Sequence, residues 1–156
     1  MMPLNEVIIN KNTQINPIWI MRQAGRYLPE FREIRKDNPN FINLCLNDVL
    51  SSEITLQPIR RFDLGAAIIF SDILMLPYGL NQQVQFKKNF GPILGELNIR
   101  DMSKIDEIDF VEKIFPIYKA LQKVSTSSFI KNKNIIGFVG APWTLLVYMI
   151  NRQSPK

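Results

Sequence analysis

Three apolar runs alternate with helical segments along this chain, and their order constrains the fold more than any other feature. The runs cover residues 17–21, 66–70 and 135–139. The second run, AAIIF, is apolar at every position, which is typical of a strand covered by helices on both faces. Strands that alternate with helices pair in parallel through right-handed crossovers. The sequence therefore predicts an α/β fold built on a parallel sheet.

Two segments between the first and second runs carry helix signals. Residues 29–36 begin with proline and glutamate and end with arginine and lysine, a polarity that suits the helix dipole. A longer helix is predicted over residues 47–62, with Asn47 or Asp48 as its cap. The first two strands are therefore expected to be joined by helices.

The segment between the second and third runs predicts a hairpin and a helix. Residues 84–90 alternate in polarity and precede Gly91 and Pro92, which indicates a small hairpin. Ser103 and Asp106 match a capping box, so we expect a helix to begin there. The side of this helix that is predicted to face the core comprises Val111, Ile114, Phe115, Tyr118, Leu121 and Val124.

Three strands that are apolar on both faces do not close a core, so we infer that the chain is part of a larger fold. A (β/α)8 TIM barrel, which takes about 250 residues, is the best candidate. Residues 1–156 would then be the amino-terminal part of one barrel domain. We expect about the first three strands of an incomplete barrel, with no internal domain boundary.

The charge balance favours an anionic partner but does not point to a nucleic acid. The chain carries 19 basic and 14 acidic side chains, a net charge of +5, yet no run of five like charges. We therefore expect no nucleic-acid partner. Histidine is absent and Cys45 is the only cysteine, so the usual zinc ligands are missing and no metal site is expected. A lone cysteine also fits a reducing compartment.

The apolar stretches predict neither secretion nor membrane insertion. The first residues, MMPLNEVIINKN, lack the basic segment and long apolar core of a signal peptide. The most apolar stretches, residues 65–80 and 137–150, are shorter than the ~20 residues that span a bilayer. We expect a cytoplasmic protein with no membrane partner.

The first apolar run is followed by RQAGR, residues 22–26, at a position where barrels place functional groups. The guanidinium groups of Arg22 and Arg26 are permanently charged, planar forks that suit carboxylates and phosphates. Gly25 between them tolerates unusual backbone angles and lets a ligand approach closely. The pattern indicates an anion receptor, and the alternative is a solvated turn without a ligand.

The other two strand ends add an acid and a tyrosine. Asp72 follows the second run in the sequence FSD, where it would either face a ligand or cap the helical turn that comes next. Tyr148 lies in the apolar helix after GAP, residues 140–142. A tyrosine in such a helix is usually a core residue with a satisfied hydroxyl. The residues by themselves leave both roles open.

Three blocks of the sequence resemble the uroporphyrinogen decarboxylase family. PIWIMRQAGRYLPEFREIR is similar to its first signature, AAIIFSDILMLP to its second conserved block, and GFVGAPWTLLVYMI to its third. The blocks follow in order from Pro17 to Ile150, and LQPIRRFDLGAA between the first two also resembles the family. The resemblance implies a (β/α)8 barrel that forms a homodimer. It also implies cofactor-free decarboxylation of the four acetate arms of uroporphyrinogen III, which gives coproporphyrinogen III in haem biosynthesis.

The same resemblance implies roles for individual residues. Carried over by position, Arg22 and Arg26 would hold substrate carboxylates, and Asp72 would be the catalytic residue that faces the pyrrole nitrogens. A hydroxyl residue and a histidine that the family carries on later strands have no counterpart in this sequence, which contains no histidine. The implied substrate-binding residues are Arg22, Gln23, Ala24, Gly25, Arg26, Asp72 and Tyr148.

Two other interpretations stay open at this point. Methyltransferases of the same barrel superfamily build a zinc site from later residues, and the RQAGR turn and FSD argue against them. The second alternative is that the chain is a truncated or split-gene fragment that is inactive alone. Unpaired strand edges would then favour aggregation or pairing with a missing half.

Overall fold

The computed structural model of the chain describes residues 2–87 and 90–154. The helices are α1 (Pro3–Ile8), α2 (Pro29–Asp37), α3 (Phe41–Cys45), α4 (Asp48–Arg61), α5 (Met75–Gly79), α6 (Ile99–Met102), α7 (Glu107–Ser125) and α8 (Pro142–Asn151). The strands are β1 (Ala66–Ile68), β2 (Val84–Lys87), β3 (Gly91–Leu94) and β4 (Asn134–Ile136). Within these ranges, no helix combines the length and the apolar character needed to cross a membrane.

β1 and β4 form a two-stranded parallel sheet in the described part of the chain. Ala66 lies opposite Asn134 and Ile68 opposite Ile136. The hairpin and α7 lie between these strands in the chain, so the connection is a crossover, as parallel pairing requires. The predicted parallel pairing of the second and third apolar runs is confirmed.

α4 and α7 pack against each other and against one face of β1. Asn47, one of the two predicted caps, is the N-cap of α4, and its side chain accepts a hydrogen bond from the Leu50 N–H at 2.9 Å. Burial of apolar side chains, at about 25 cal/mol per Å², holds this layer together. Its core contains Leu56, Ile59, Leu64, Ala67, Ile69, Ala120, Val124 and Ile130.

A second core lies beside the antiparallel hairpin of β2 and β3. Val84 pairs with Leu94 in this hairpin, which confirms its prediction, although residues 88 and 89 at its turn lie outside the described ranges. The core joins the hairpin to α3, α5 and α8. It contains Ile42, Cys45, Leu74, Met75, Val84, Leu94, Leu145 and Met149.

The first apolar run, residues 17–21, is not a strand, so that prediction is wrong. One backbone hydrogen bond, donated by the Gly65 N–H at 2.6 Å, joins it to the start of β1. Beyond that point, the Gln23 side chain forms hydrogen bonds with the Ala66 carbonyl and the Ile68 N–H, which a neighbouring strand would need for its own pairing. The run therefore lies beside β1 without a ladder, and its exposed residues are Ile18, Trp19, Ile20 and Met21.

α7 begins later than predicted and buries a different side. Asp106 is its N-cap and accepts a hydrogen bond from the Asp109 N–H at 2.8 Å, whereas Ser103 ends α6. Ala120 and Val124 are its buried residues, because that side of the helix faces the core shared with α4. Of the predicted set, Val124 is buried, but Phe115, Tyr118 and Leu121 are exposed.

β4 is shorter than the predicted third strand. It ends at Ile136, whose carbonyl accepts the last sheet hydrogen bond, from the Ile69 N–H at 3.1 Å. A strand without a further partner cannot extend its ladder. Phe138 and Val139, which were predicted to be buried strand residues, are consequently exposed.

Candidate functional site

An open cleft of about 840 Å³ lies where the chain leaves β1. Ala24, Gly25 and Arg26 contribute the RQAGR turn to its wall, and Phe70 and Asp72 contribute the segment after β1. These residues are far apart in sequence, but they line the same space. The structure therefore brings two of the three predicted strand ends together.

Aromatic rings from several elements form the apolar part of the cleft. Phe70 packs edge-to-face against Phe31 of α2 and Phe41 of α3, with ring centroids 5.9 and 5.7 Å apart. Phe41 packs in the same way against Phe86 of β2 at 4.7 Å. Such pairs contribute about 0.5–1.5 kcal/mol beyond the area that they bury. The rings give the cleft a firm surface for the apolar part of a ligand.

Cationic side chains surround this aromatic surface. Besides Arg26, the cleft is lined by Arg32, Arg35 and Lys36 of α2 and by Lys87 of β2. The Arg35 guanidinium lies 5.4 Å from the centroid of the Phe41 ring. Burial lowers the pKa of Arg35, and the nearby charge of Arg26 adds to this effect. The cleft is thus suited to an anion with several negative groups.

The basic residues of α2 were missed as site residues by the sequence analysis. Their charge was attributed to the helix dipole, although positions 32, 35 and 36 are spaced to share one face of a helix. Because α2 begins three residues after the RQAGR turn, that face was a detectable signal. The Arg32 side chain also donates to the Arg26 carbonyl at 2.8 Å, which ties the helix to the turn.

Asp72 is a partly buried carboxylate in this cationic cleft. Its Oδ1 accepts a hydrogen bond from the Leu74 N–H at 2.8 Å, and its carbonyl accepts one from the Met75 N–H at 3.1 Å. Burial raises the pKa of Asp72, and the hydrogen bond from Leu74 opposes the rise. Within residues 2–87 and 90–154, no hydrogen bond to Oδ2 is present. One oxygen therefore supports the turn, and the other is available to a ligand.

Gln23 is buried, and its side chain is hydrogen-bonded to the backbone of β1. Its Nε2 donates to the Ala66 carbonyl at 2.8 Å, and its Oε1 accepts from the Ile68 N–H at 3.0 Å. The Tyr27 hydroxyl donates to the Gln23 carbonyl. The side chain thereby fixes the RQAGR turn to the strand that leads to Asp72. A direct contact between Gln23 and a substrate stays a prediction.

Gly25 lines the cleft without an unusual backbone conformation. Its φ is not positive, so the turn does not use the backbone angles that glycine alone adopts readily. A Cβ at this position would meet the Tyr27 ring at 3.6 Å, an ordinary van der Waals distance. The absence of a side chain at Gly25 therefore leaves open space beside the cleft.

Arg22 and Tyr148 do not line this cleft. Arg22 is exposed, and it is separated from Arg26 by the turn that Gln23 anchors. Tyr148 of α8 packs at the edge of the core beside the hairpin, with its hydroxyl 3.3 Å from the Ser154 hydroxyl. Their roles in substrate binding stay predictions. Within the described ranges, no group of three or more Asp, Glu, Cys or His side chains could hold a metal ion.

The family to which these features belong follows from comparison of the whole sequence. The family model for uroporphyrinogen decarboxylase (URO-D) matches residues 2–156. The chain belongs to the uroporphyrinogen decarboxylase family. The resemblance inferred from the RQAGR, FSD and GAPWT blocks is thereby confirmed.

Three uroporphyrinogen decarboxylases illustrate the similarity. The chain is 46% identical to the one from Agrobacterium fabrum over 144 residues, which are 92% of this chain and 42% of that relative. It is 45% identical to the one from Rickettsia canadensis over 145 residues, with 93% and 42% covered. The protein from Campylobacter jejuni is 42% identical over 153 residues, with 97% and 45% covered. The chain thus spans about two fifths of the length of these uroporphyrinogen decarboxylases.

Proposed function

We propose that the chain forms the amino-terminal part of a uroporphyrinogen decarboxylase active site. The reaction would convert the four acetate arms of uroporphyrinogen III to methyl groups and give coproporphyrinogen III. One observation carries this proposal: Arg26 and Asp72 line a single cleft that has cationic walls and an aromatic surface. Membership of the uroporphyrinogen decarboxylase family supports the choice of substrate.

The cationic side chains match the charge of this substrate. Uroporphyrinogen carries eight carboxylates around four pyrrole N–H groups, so it needs cations at its rim and an acceptor at its centre. Arg26 would bind carboxylates together with the basic residues of α2 and Lys87. We extend the same role to Arg22, with Gln23, Ala24 and Gly25 shaping the turn, and we propose a substrate contact for Tyr148 from its place in the third family block.

The decarboxylation can use the substrate itself as an electron sink. Protonation of the pyrrole ring carbon adjacent to the one that bears the acetate arm creates an iminium-like cation that is conjugated with the arm. The C–C bond to the carboxylate then breaks, its electrons neutralise the ring, and carbon dioxide leaves. Protonation of the exocyclic carbon would complete the methyl group, and loss of the proton first added to the ring would restore the pyrrole. Written in this way, the reaction needs no external cofactor.

Asp72 is proposed as the catalytic residue. An ionised carboxylate beside the pyrrole nitrogens would stabilise the positive charge that develops in the transition state more than it stabilises the neutral substrate. Its Oδ2 carries no hydrogen bond within the described residues and could accept pyrrole N–H groups. A hydrogen bond to a charged acceptor contributes about 1.5–3 kcal/mol.

The source of the proton is a separate question. The pKa of a free arginine lies far above neutral pH, so a guanidinium is a poor general acid there. We propose that a water molecule held by Arg26, or a carboxyl group of the substrate, delivers the proton. The arginines would then act by binding and orienting the substrate.

The remaining expectations about the whole protein belong to the same proposal. We propose that residues 1–156 contribute to one (β/α)8 barrel domain, which the α/β order and the parallel pairing of β1 and β4 support. We propose a homodimer by analogy with the family. A cytoplasmic location is proposed because the lone cysteine, Cys45, is free and buried, which suits a reducing compartment.

A decarboxylation assay tests the proposed function. The chain would be assayed with uroporphyrinogen III under anaerobic conditions, both alone and joined to the part of the Agrobacterium relative beyond the aligned residues. We expect the joined protein to release carbon dioxide and the chain alone to be much slower. In the joined protein, Asp72→Asn removes the charge but keeps an acceptor for the Leu74 N–H. Loss of one charged hydrogen bond in the transition state should lower kcat by about 10- to 100-fold.

Asp63→Asn is the matched control for this substitution. Asp63 is fully exposed and pairs with Lys133 at 3.0 Å, outside the cleft. We expect its loss to leave kcat unchanged. Near-normal turnover of the Asp72→Asn protein would exclude the electrostatic role of Asp72.

A further inference from the structure

The backbone of Phe70 lies at the point where β1 loses its strand partner. The last hydrogen bond between β1 and β4 is donated by the Ile69 N–H. The Phe70 N–H and carbonyl therefore need other partners, because buried backbone groups without hydrogen bonds are costly. Phe70 is followed by Ser71 and then Asp72. The partners of Phe70 thus determine how the chain enters the cleft.

Two hydroxyl groups of α4 supply these partners. The Phe70 N–H donates to Thr55 Oγ1 at 2.8 Å. The Ser51 hydroxyl donates to the Phe70 carbonyl at 2.7 Å. The Thr55 hydroxyl in turn donates to the Ser51 carbonyl at 2.8 Å, which fixes the direction of its own proton. Both residues are fully buried, so water does not compete for these hydrogen bonds.

We propose that Thr55, together with Ser51, is a positioning residue that holds Asp72 and the Phe70 ring in the substrate cleft. The inference rests on the proposed function, because the importance of Asp72 does. Hydrogen bonds on both sides of one peptide residue fix its rotation as well as its distance from α4. The Phe70 ring is then held against Phe31 and Phe41. Asp72 begins the turn to α5 at a fixed distance from Phe70. Small displacements of a reacting group have large effects on catalysis.

The neighbouring Ser52 shows that a hydroxyl on α4 need not have this role. Its Oγ donates to the Val49 carbonyl at 2.8 Å, which lies within the same helix. Ser52 is also buried, but it makes no contact with the segment after β1 through this hydrogen bond. Ser52→Ala is therefore a control of the same kind and in the same helix as the proposed positioning residues.

The test compares Thr55→Val, Thr55→Ser, Ser51→Ala and Ser52→Ala in the complete 156-residue chain. Two quantities are measured on folded protein: the pKa of Asp72 by carbon-detected NMR, and the dissociation constant of coproporphyrinogen III by calorimetry without oxygen. The product is used because it cannot be turned over. Urea denaturation of each variant separates a loss of stability from a change at the cleft. The other titratable or charged groups near Asp72 are the same in every variant: the Cys45 thiol, Arg26, Arg32, Arg35, Lys36 and Lys87.

For Thr55→Val we expect both quantities to change. Release of Phe70 lets water reach Asp72, so its pKa should fall towards the ordinary value. The dissociation constant should rise about tenfold, because a misplaced carboxylate loses roughly one charged hydrogen bond. Thr55→Ser keeps the hydroxyl and should restore both values, and Ser52→Ala should leave both unchanged. A merely structural role would lower stability in urea but would not move either value.

Unchanged pKa and affinity in a folded Thr55→Val protein would overturn the inference. Should that protein fail to fold, Ser51→Ala, which removes only the hydrogen bond to the Phe70 carbonyl, is judged by the same two values. Should neither the unaltered chain nor the chain joined to the remaining part of the Agrobacterium relative bind coproporphyrinogen III, the proposed substrate is wrong. The pKa of Asp72 then decides separately whether Thr55 positions it.

Discussion

At the scale of the residue, the Asp72 carboxylate has a structural role and a proposed catalytic role. Its Oδ1 supports the turn that leads to α5, whereas catalysis would need a charge close to the pyrrole nitrogens. Burial of that charge raises its pKa, so the folded chain holds the ionised form less readily than the unfolded chain does. A site of this kind trades stability for function.

The difference in stability between the Asp72→Asn variant and the unaltered chain should depend on pH in a defined direction. Because the folded pKa is raised, the unfolded chain loses this proton first, and stability falls as pH rises from the ordinary aspartate value through the folded value. Above that window the buried charge continues to destabilise the fold. We therefore expect Asp72→Asn to be more stable than the unaltered chain at pH 7, with the difference shrinking towards pH 4. Urea denaturation across this range measures it.

Asp63→Asn removes the same charge from a side chain that stays in water. It should change the free energy of unfolding by less than about 0.5 kcal/mol at pH 7. An Asp72→Asn protein that is less stable than the unaltered chain at every pH would show that the charge does not destabilise the fold.

Gln23 should contribute to stability through its two hydrogen bonds to β1. Gln23→Met keeps the length of the side chain but leaves the Ala66 carbonyl and the Ile68 N–H unpaired in a buried position. We expect a loss of about 2–4 kcal/mol in the free energy of unfolding, measured in urea. Gln14→Met, at an exposed position in a turn, is the matched control and should change little. Equal stability of the two variants would mean that water replaces the Gln23 amide.

The cleft residues were predictable only in part. Arg26 and Asp72 follow apolar runs, so their shared cleft could be inferred from the local pattern, although the run before Arg26 is not a strand. The use of Gln23 as a substitute strand partner could not, because it depends on β1, more than 40 residues away. The cations of α2 carried a helical spacing that indicated a shared face, but the sequence does not show what that face meets.

At the scale of elements, α5 and α7 approach each other closely at Gly79. A Cβ at Gly79 would come within 2.5 Å of Cε2 of Phe110. Gly79→Ala should therefore lower the free energy of unfolding by about 1–3 kcal/mol through overpacking, which outweighs the gain in helix propensity. Combining it with Phe110→Leu should recover part of this loss, as a double-mutant cycle in urea would measure.

Gly137→Ala is the control for this contact. A Cβ at Gly137 would have no atom within 4 Å, and its φ is not positive. We expect a change of less than about 0.5 kcal/mol. Additive effects of the Gly79 and Phe110 substitutions on the free energy of unfolding would mean that α5 and α7 move apart at this contact without strain.

Elements with local signals were predicted better than elements that need a distant partner. α2 and α4 carry their own start and stop residues, and the hairpin carries its glycine and proline, so their positions follow from short stretches of sequence. The run at 17–21 is equally apolar, but a strand exists only where another strand pairs with it. β4 is short for the same reason, since its ladder stops with its partner.

At the scale of the whole molecule, large apolar side chains are exposed in the run before β1 and in α8. Trp19 in the run beside β1 is 43% exposed, and Trp143 at the start of α8 is 75% exposed. Large apolar surfaces of this kind usually mark contacts with other protein. The relatives are more than twice as long as the region that they share with this chain, so we expect the rest of their fold to cover these residues.

Tryptophan fluorescence tests this expectation directly, because Trp19 and Trp143 are the only tryptophans of the chain. The chain would be co-expressed with the part of the Agrobacterium relative beyond the aligned residues, with the tryptophans of that part replaced by phenylalanine. We expect emission at shorter wavelength and weaker quenching by acrylamide than for the chain alone, since both indoles lose contact with water. Trp19→Phe and Trp143→Phe variants assign the change to each site. Emission that stays the same in a co-purified complex would mean that the added part binds elsewhere, and failure to co-purify would mean that it does not cover this surface.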